Sequence, residues 1–331
     1  MSLRGAAAAE SRPLALVERE PPRPGPDEIQ VRVEVCGVCR TDLHVVEGDL
    51  ELRRPGVVPG HEVVARVSAR GKQARRFRVG ERVGVAWLHR ACGTCRFCAT
   101  GRENLCLAPL FTGWDRDGGY ADHAVVPEAF AYALPDDADA EGLAPLLCAG
   151  IIGYRAWLRS NARPGARLGL YGFGGSAHIV MQIARHFDCQ IHVFSRGGTH
   201  RELAESMGAA WVGDSFDTPP RPLEAAILFA PAGDLVPAAL AALDRGGTLA
   251  VAGIHLSDVP VLRYREHLFQ ERTLQSVTAN TREDGRELLR LAAEIPIETR
   301  TRTYALEQAN EALVDLKQDR IQGAAVLRVS P

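Results

Sequence analysis

Arg167-Leu168-Gly169-Leu170-Tyr171-Gly172-Phe173-Gly174-Gly175-Ser176-Ala177 is an apolar strand that runs into a glycine turn, with a helix continuing to Phe187. Gly172, Gly174 and Ala177 take the G-x-G-x-x-(G/A) places of a dinucleotide fingerprint. The first glycine permits the tight turn and the second lets backbone approach a pyrophosphate, while Ala177 keeps helix and strand close. Gly175 and Ser176 open the helix, whose free amides and positive dipole end favour an anion. A glycine turn is common in itself; its place between a strand and a helix gives it weight.

Outward from this stretch, strands are predicted at residues 190–194, 225–229, 248–252 and 273–277, with a shorter one at 210–212. Helices are predicted at 201–207 and 234–243. Strand and helix alternate, which argues for a parallel doubly wound sheet over residues 151–280. The second strand of this region runs into Ser195-Arg196-Gly197-Gly198. A site for NAD usually carries an acidic residue there to hold the ribose hydroxyls. Ser195 removes that charge and Arg196 can hold a 2′-phosphate, with Arg201 as a helper. NADP(H) is therefore expected ahead of NAD(H), although Arg196 also fits an ordinary solvated arginine.

Residues 1–150 have a different texture. Short alternating runs, such as Ile29-Gln30-Val31-Arg32-Val33-Glu34-Val35, are broken by Gly and Pro and predict a β-rich domain. Beyond residue 280, helices are expected at 281–294 and 306–317 and a strand at 324–329. This tail is expected to complete the first domain as residues 281–331.

Composition narrows the function. The 331 residues suggest two domains, and a net charge of -2 gives no reason to expect nucleic acid or an anionic membrane as partner. No apolar stretch approaches the ~20 residues of a membrane span, and residues 1–10, an Ala run without an apolar core and cleavage site, are not expected to act as a leader. A cytoplasmic protein is expected, whose eight cysteines stay thiols or metal ligands.

Four of those cysteines, Cys92, Cys95, Cys98 and Cys106, form a C-x2-C-x2-C-x7-C run. Four thiolates so close suit one tetrahedral Zn²⁺. Core packing or disulfides are the other readings, but the short spacing would strain two bridges. A closed four-thiolate site has no open position, so it stabilises a lobe and does no chemistry.

Three further segments complete the pattern: Cys36-Gly37-Val38-Cys39-Arg40-Thr41-Asp42-Leu43-His44, Gly60-His61-Glu62 and Leu147-Cys148-Ala149-Gly150. With them the chain resembles, over nearly its whole length, the medium-chain zinc-dependent alcohol dehydrogenase family. The resemblance implies a GroES-like catalytic domain, a Rossmann domain and an active-site cleft between them. It implies Cys39, His61 and Cys148 as ligands of a catalytic zinc, with Glu62 beside the metal and Asp42 orienting His61. Two zinc ions per chain follow, one catalytic and one structural. Thr41 and His44 are implied as the proton relay, Arg40 as a contact of the cofactor pyrophosphate, and Trp87 as a pocket wall. The implied substrate is a small alcohol or aldehyde, and the implied assembly a homodimer or homotetramer.

Departures from the family pattern set two more expectations. Residues 1–12 are Ala-rich without a strand pattern, which predicts a frayed end and a later start for the catalytic domain. A polyol or amino-alcohol dehydrogenase on the same fold is a second functional reading, which substrate profiling separates. A non-catalytic zinc- or nucleotide-binding protein is the third; it predicts loss of ligands or relay residues.

Overall fold

The computed structural model describes residues 1–330. Its contacts divide the chain into two compact units. One holds Met1–Ala149, Ala279–Leu289 and the tail from Thr299; the other holds Gly150–Thr278 and Arg290–Glu298. The sequence assigned the whole of 281–331 to the first unit. Residues 290–298 group with the second instead, where Gln182 binds the backbone of Glu298 twice, at 2.9 Å each way.

The first unit is built on the strand Glu28–Val38. Ile29, Val31 and Val33 are fully buried while Arg32 between them is exposed, the period of two that a half-buried strand requires. Each such side chain contributes about 1.5–3 kcal/mol by leaving water. Beyond Val35 every residue is buried, so the strand passes from the edge of the core into its interior.

Glu62–Arg70 pairs antiparallel along one side of this strand, and Arg82–Val85 and Ala131–Ala133 extend the sheet from there. Along its other side, His123–Pro127 pairs with residues 28–32 and Ala324–Arg328 with residues 35–38. Ala324–Arg328 in turn pairs parallel with Thr301–Ala305, a strand that the sequence did not suggest. The tail thus completes the first sheet.

The expectation of a frayed N-terminus is overturned. Ser2–Leu3 pairs antiparallel with Leu14–Ala15, and Leu3 exchanges backbone hydrogen bonds with Val57 (2.9 Å) and Gly56 (3.0 Å). Leu3 and Ala9 are buried in the core. A two-residue strand carries no periodicity, so its partners had to be present before it became visible.

In the second unit six parallel strands run in the order Trp211–Gly213, Gln190–Phe194, Arg167–Tyr171, Leu223–Leu228, Leu243–Val251, Thr273–Ser276. Sequential strands are laid outward from Arg167–Tyr171 in both directions, which makes the end of that strand the topological switch point where ligands bind. Leu168 and Leu170 are fully buried, and the Tyr171 and Phe194 rings stack at 4.1 Å across neighbouring strands. The helix expected at 201–207 begins earlier, spanning Gly198–Ser206.

Candidate active site and metal centres

In the first unit, Cys39 ends the long strand segment and caps the helix Arg40–Glu47. Asp42, third in that helix, turns back and accepts the Cys39 N–H at 3.0 Å. Its other oxygen accepts the Gly60 N–H at 3.1 Å and His61 Nδ1–H at 2.8 Å. One carboxylate therefore closes the helix start and fixes the imidazole. Asp42 is 1% exposed and His61 fully buried.

Fixing Nδ1 on Asp42 leaves His61 Nε2 as the free lone pair. That atom is buried and has no hydrogen-bond partner. Such an orphan costs about 1–3 kcal/mol unless something occupies it. Around it, one donor atom from each of Cys39, His61, Glu62 and Cys148 lies within 4.8 Å of the others. The Cys39 and Cys148 sulfurs are 3.8 Å apart. Two Zn–S bonds of about 2.3 Å at tetrahedral angles place sulfurs roughly that far apart, whereas a disulfide would hold them near 2 Å. The residues fit a zinc ion.

Electrostatics agree. The Cys148 thiol and then His61 hold Cys39 well below the ordinary thiol range, against the opposing effect of burial. Cys148 is pushed well above it, first by Cys39 and then by burial. Burial pulls the His61 imidazolium down, but Asp42 and Cys39 together raise it well above normal. Burial, with Cys39 nearby, keeps Glu62 protonated far above the usual carboxylate range. Binding a cation here would release whatever protons these four side chains carry.

Thr41 lies in the first turn of the helix, with its hydroxyl 3.8 Å from the Cys39 sulfur. His44, one turn on and on the same face, places Nδ1 2.8 Å from Asp49. Arg40 forms an ion pair with Asp319 within the same unit. Trp87 meets the His61 ring edge-on at 5.0 Å and stacks with Phe111 (4.9 Å) and Trp114 (5.9 Å). The sequence singled out Trp87 but not its two partners, which lie more than twenty residues away and carry no motif.

The second cluster gathers Cys92, Cys95, Cys98 and Cys106. Cys98 lies 3.9 Å from Cys92 and 3.6 Å from Cys95, again the spacing of thiolates around one ion. Backbone amides aim at the sulfurs: Cys95 N–H at Cys92, and both Cys92 and Ala108 N–H at Cys106. The amides of Thr94 and Cys95 lower the Cys92 thiol to about 6. Between the last two cysteines Glu103 takes a bidentate pair from Arg282 and the Arg282 backbone N–H at 2.7 Å. No motif marks this clamp, whose two halves lie far apart in the chain.

In the second unit Gly172 has a φ of +86°, and a Cβ there would press on the Ala230 backbone at 3.0 Å. A Cβ on Gly174 would meet nothing within 4 Å, so a ligand can approach that backbone. Gly175 and Ser176 form the first turn of the helix Gly175–His186. Ser195 is buried, its N–H bound to Gly213 at 3.1 Å, and Arg196 is exposed. Arg201, expected as a helper, is engaged by Asp214 at 3.4 Å.

Among the described residues, no helix is long and apolar enough to cross a membrane. Residues 25–136 match the model of the alcohol dehydrogenase GroES-like domain, and residues 175–294 that of zinc-binding dehydrogenases. The chain is 56% identical to the Mycobacterium tuberculosis protein named "Probable alcohol dehydrogenase AdhA", over 97% of this chain and 94% of that one. Among solved structures it resembles a cinnamyl alcohol dehydrogenase of Sorghum bicolor, at 28% identity and a TM-score of 0.88, covering 98% and 96% of the two chains. A cobalt- and zinc-bound thermostable alcohol dehydrogenase of Pyrobaculum aerophilum matches at 25% identity and a TM-score of 0.90, covering 99% and 98%. The first unit is GroES-like and the second a Rossmann fold. The chain belongs to the medium-chain, zinc-dependent alcohol dehydrogenase family and is an oxidoreductase.

Proposed function

We propose that the protein interconverts a small alcohol and its aldehyde or ketone by hydride exchange, using NADP(H) ahead of NAD(H) and two zinc ions per chain. The observation that carries this is the set Cys39, His61 and Cys148, half-buried at the two thiols and fully buried at the imidazole, with Glu62 beside it and His61 Nε2 unpartnered. Zinc held by these three residues would supply a Lewis acid with one open position, which acidifies an alcohol and polarises a carbonyl.

This chain's own residues do the rest. Thr41 Oγ1 takes the alcohol proton, and His44, steadied by Asp49, passes a proton to solvent. Gly172, Gly174, Gly175 and Ser176 cradle the pyrophosphate with backbone amides. Ser195 offers no charge against a 2′-phosphate and Arg196 stands exposed to receive one. Cys92, Cys95, Cys98 and Cys106 hold the structural ion. The chain carries Cys39, Thr41, His44, His61 and Cys148, the residue types that a non-catalytic relative is expected to lose, which supports the catalytic reading.

A cytoplasmic setting suits eight cysteines that form no disulfide. A homodimer or homotetramer is supported by the second unit's edge strand Thr273–Ser276 and the exposed Val261, Tyr264 and Phe269.

The test is a panel of alcohols and aldehydes assayed with both cofactors on metal-replete protein. Turnover of one substrate class with NADP(H) favoured is expected. No oxidation or reduction of any member with either cofactor would refute the proposal.

A further inference from the structure

The Asp42 carboxylate that orients His61 has one more donor, on a segment that the mechanism does not use. Tyr120 is fully buried and donates its phenolic O–H to Asp42 Oδ2 at 3.3 Å. Its position is built with care. Gly118, Gly119 and Tyr120 donate their backbone N–H groups to Val58, Gly60 and Pro59 at 2.7, 2.9 and 3.0 Å. A Cβ on Gly118 would sit 1.9 Å from the Gly60 carbonyl, so only glycine allows the approach. The Tyr120 ring lies so close to Gly60 that a Cβ there would fall 2.4 Å from it. The segment leading into His61 is thereby locked against the segment carrying Tyr120.

We propose that Tyr120 is a positioning residue for the metal centre, acting through Asp42 to hold the His61 imidazole in the orientation that presents Nε2. Asp42 then accepts four donors: Cys39 N–H and Tyr120 O–H on one oxygen, Gly60 N–H and His61 Nδ1–H on the other. Without the phenol, Oδ2 keeps only the Cys39 amide, and the carboxylate gains freedom to rotate away from His61. The inference rests on His61 being a zinc ligand. Partners of a ligating histidine typically change metal affinity 10–100-fold. A group one bond further out is expected at the lower end, about tenfold.

The experiment is Tyr120→Phe in the full-length, zinc-loaded protein, which keeps the ring and removes the O–H. Zinc transfer to a chelator is followed together with the d–d spectrum after cobalt replacement. About tenfold faster loss of one ion is expected, with a shifted cobalt spectrum and the second ion released at the wild-type rate. Tyr120→Phe is also combined with Asp42→Asn. The double variant should lose zinc no faster than Asp42→Asn alone, because Tyr120 acts through Asp42. Additive effects, or an unchanged cobalt spectrum with only a lowered melting temperature, would overturn the inference and reduce Tyr120 to packing. His61→Ala separates the two levels: if it still retains both ions, the ligand assignment itself is wrong.

Discussion

Replacing Glu103 by Gln should destabilise the first unit by a calculable amount. The carboxylate lies in the cysteine loop and receives Arg282 through Nε at 2.9 and 3.1 Å, a terminal nitrogen at 2.6 Å, and the backbone N–H at 2.7 Å. Gln keeps the shape but turns an N–H₂ group toward the guanidinium, setting donor against donor. A hydrogen bond to a charged group is worth about 1.5–3 kcal/mol when removed. The Arg282 side chain is 33% exposed, so solvent screening brings the expected loss to about 1–2 kcal/mol. For a unit of this size each kcal/mol moves the melting temperature about 2–4 °C, giving a fall of about 2–8 °C.

Burial opposes ionisation of Glu103, yet Arg282 holds its carboxyl below the ordinary range. The folded carboxyl thus titrates below the unfolded one. Its stabilisation is fully present above about pH 5 and is lost as pH falls through the folded value. Calorimetry of wild type and variant at pH 6 and 8 should therefore show the same difference at both. A fall below about 1 °C, or one that disappears between pH 6 and 8, would refute this account of the clamp.

Elemental analysis should find two zinc ions in wild type; Cys39→Ser should abolish turnover with the fold intact, whereas Cys98→Ser should chiefly lower the melting temperature. Thr41→Val should reduce kcat by about 10²–10⁴-fold and His44→Gln by far less, since water can stand in for the imidazole; near-normal turnover of Thr41→Val would move the relay elsewhere. Ser195→Asp should erase or reverse the NADP(H) preference, measured as the ratio of kcat/KM for the two cofactors. An unchanged ratio would show that this strand end does not choose the cofactor.

Much of this protein was legible in the sequence where chemistry is carried by local spacing. The glycine turn at 172–177 needs its residues in consecutive places, because one strand end and one helix start build it. The cysteine run from 92 to 106 surrounds a single point within one loop, so its spacing already states its geometry. The alternation of Ile29, Val31 and Val33 marked a half-buried strand for the same local reason.

Other features came only with the tertiary structure, because their partners are distant in the chain. His61 Nε2 is recognisable as an orphan only once Asp42 has taken Nδ1 and burial has excluded water. The Ser2–Leu3 strand has no periodicity of its own and exists through Leu14–Ala15 and Val57. The Asp214 carboxylate beside Arg201 likewise comes from a different strand end and is visible only in the fold. Tyr120 and Glu103 carry no motif, and each gains its meaning from a carboxylate or guanidinium that folding delivers: Asp42 across 78 residues, Arg282 across 179. Spacing along a chain encodes what neighbouring residues can build together; a contact closed over a long loop is decided by the packing that closes it.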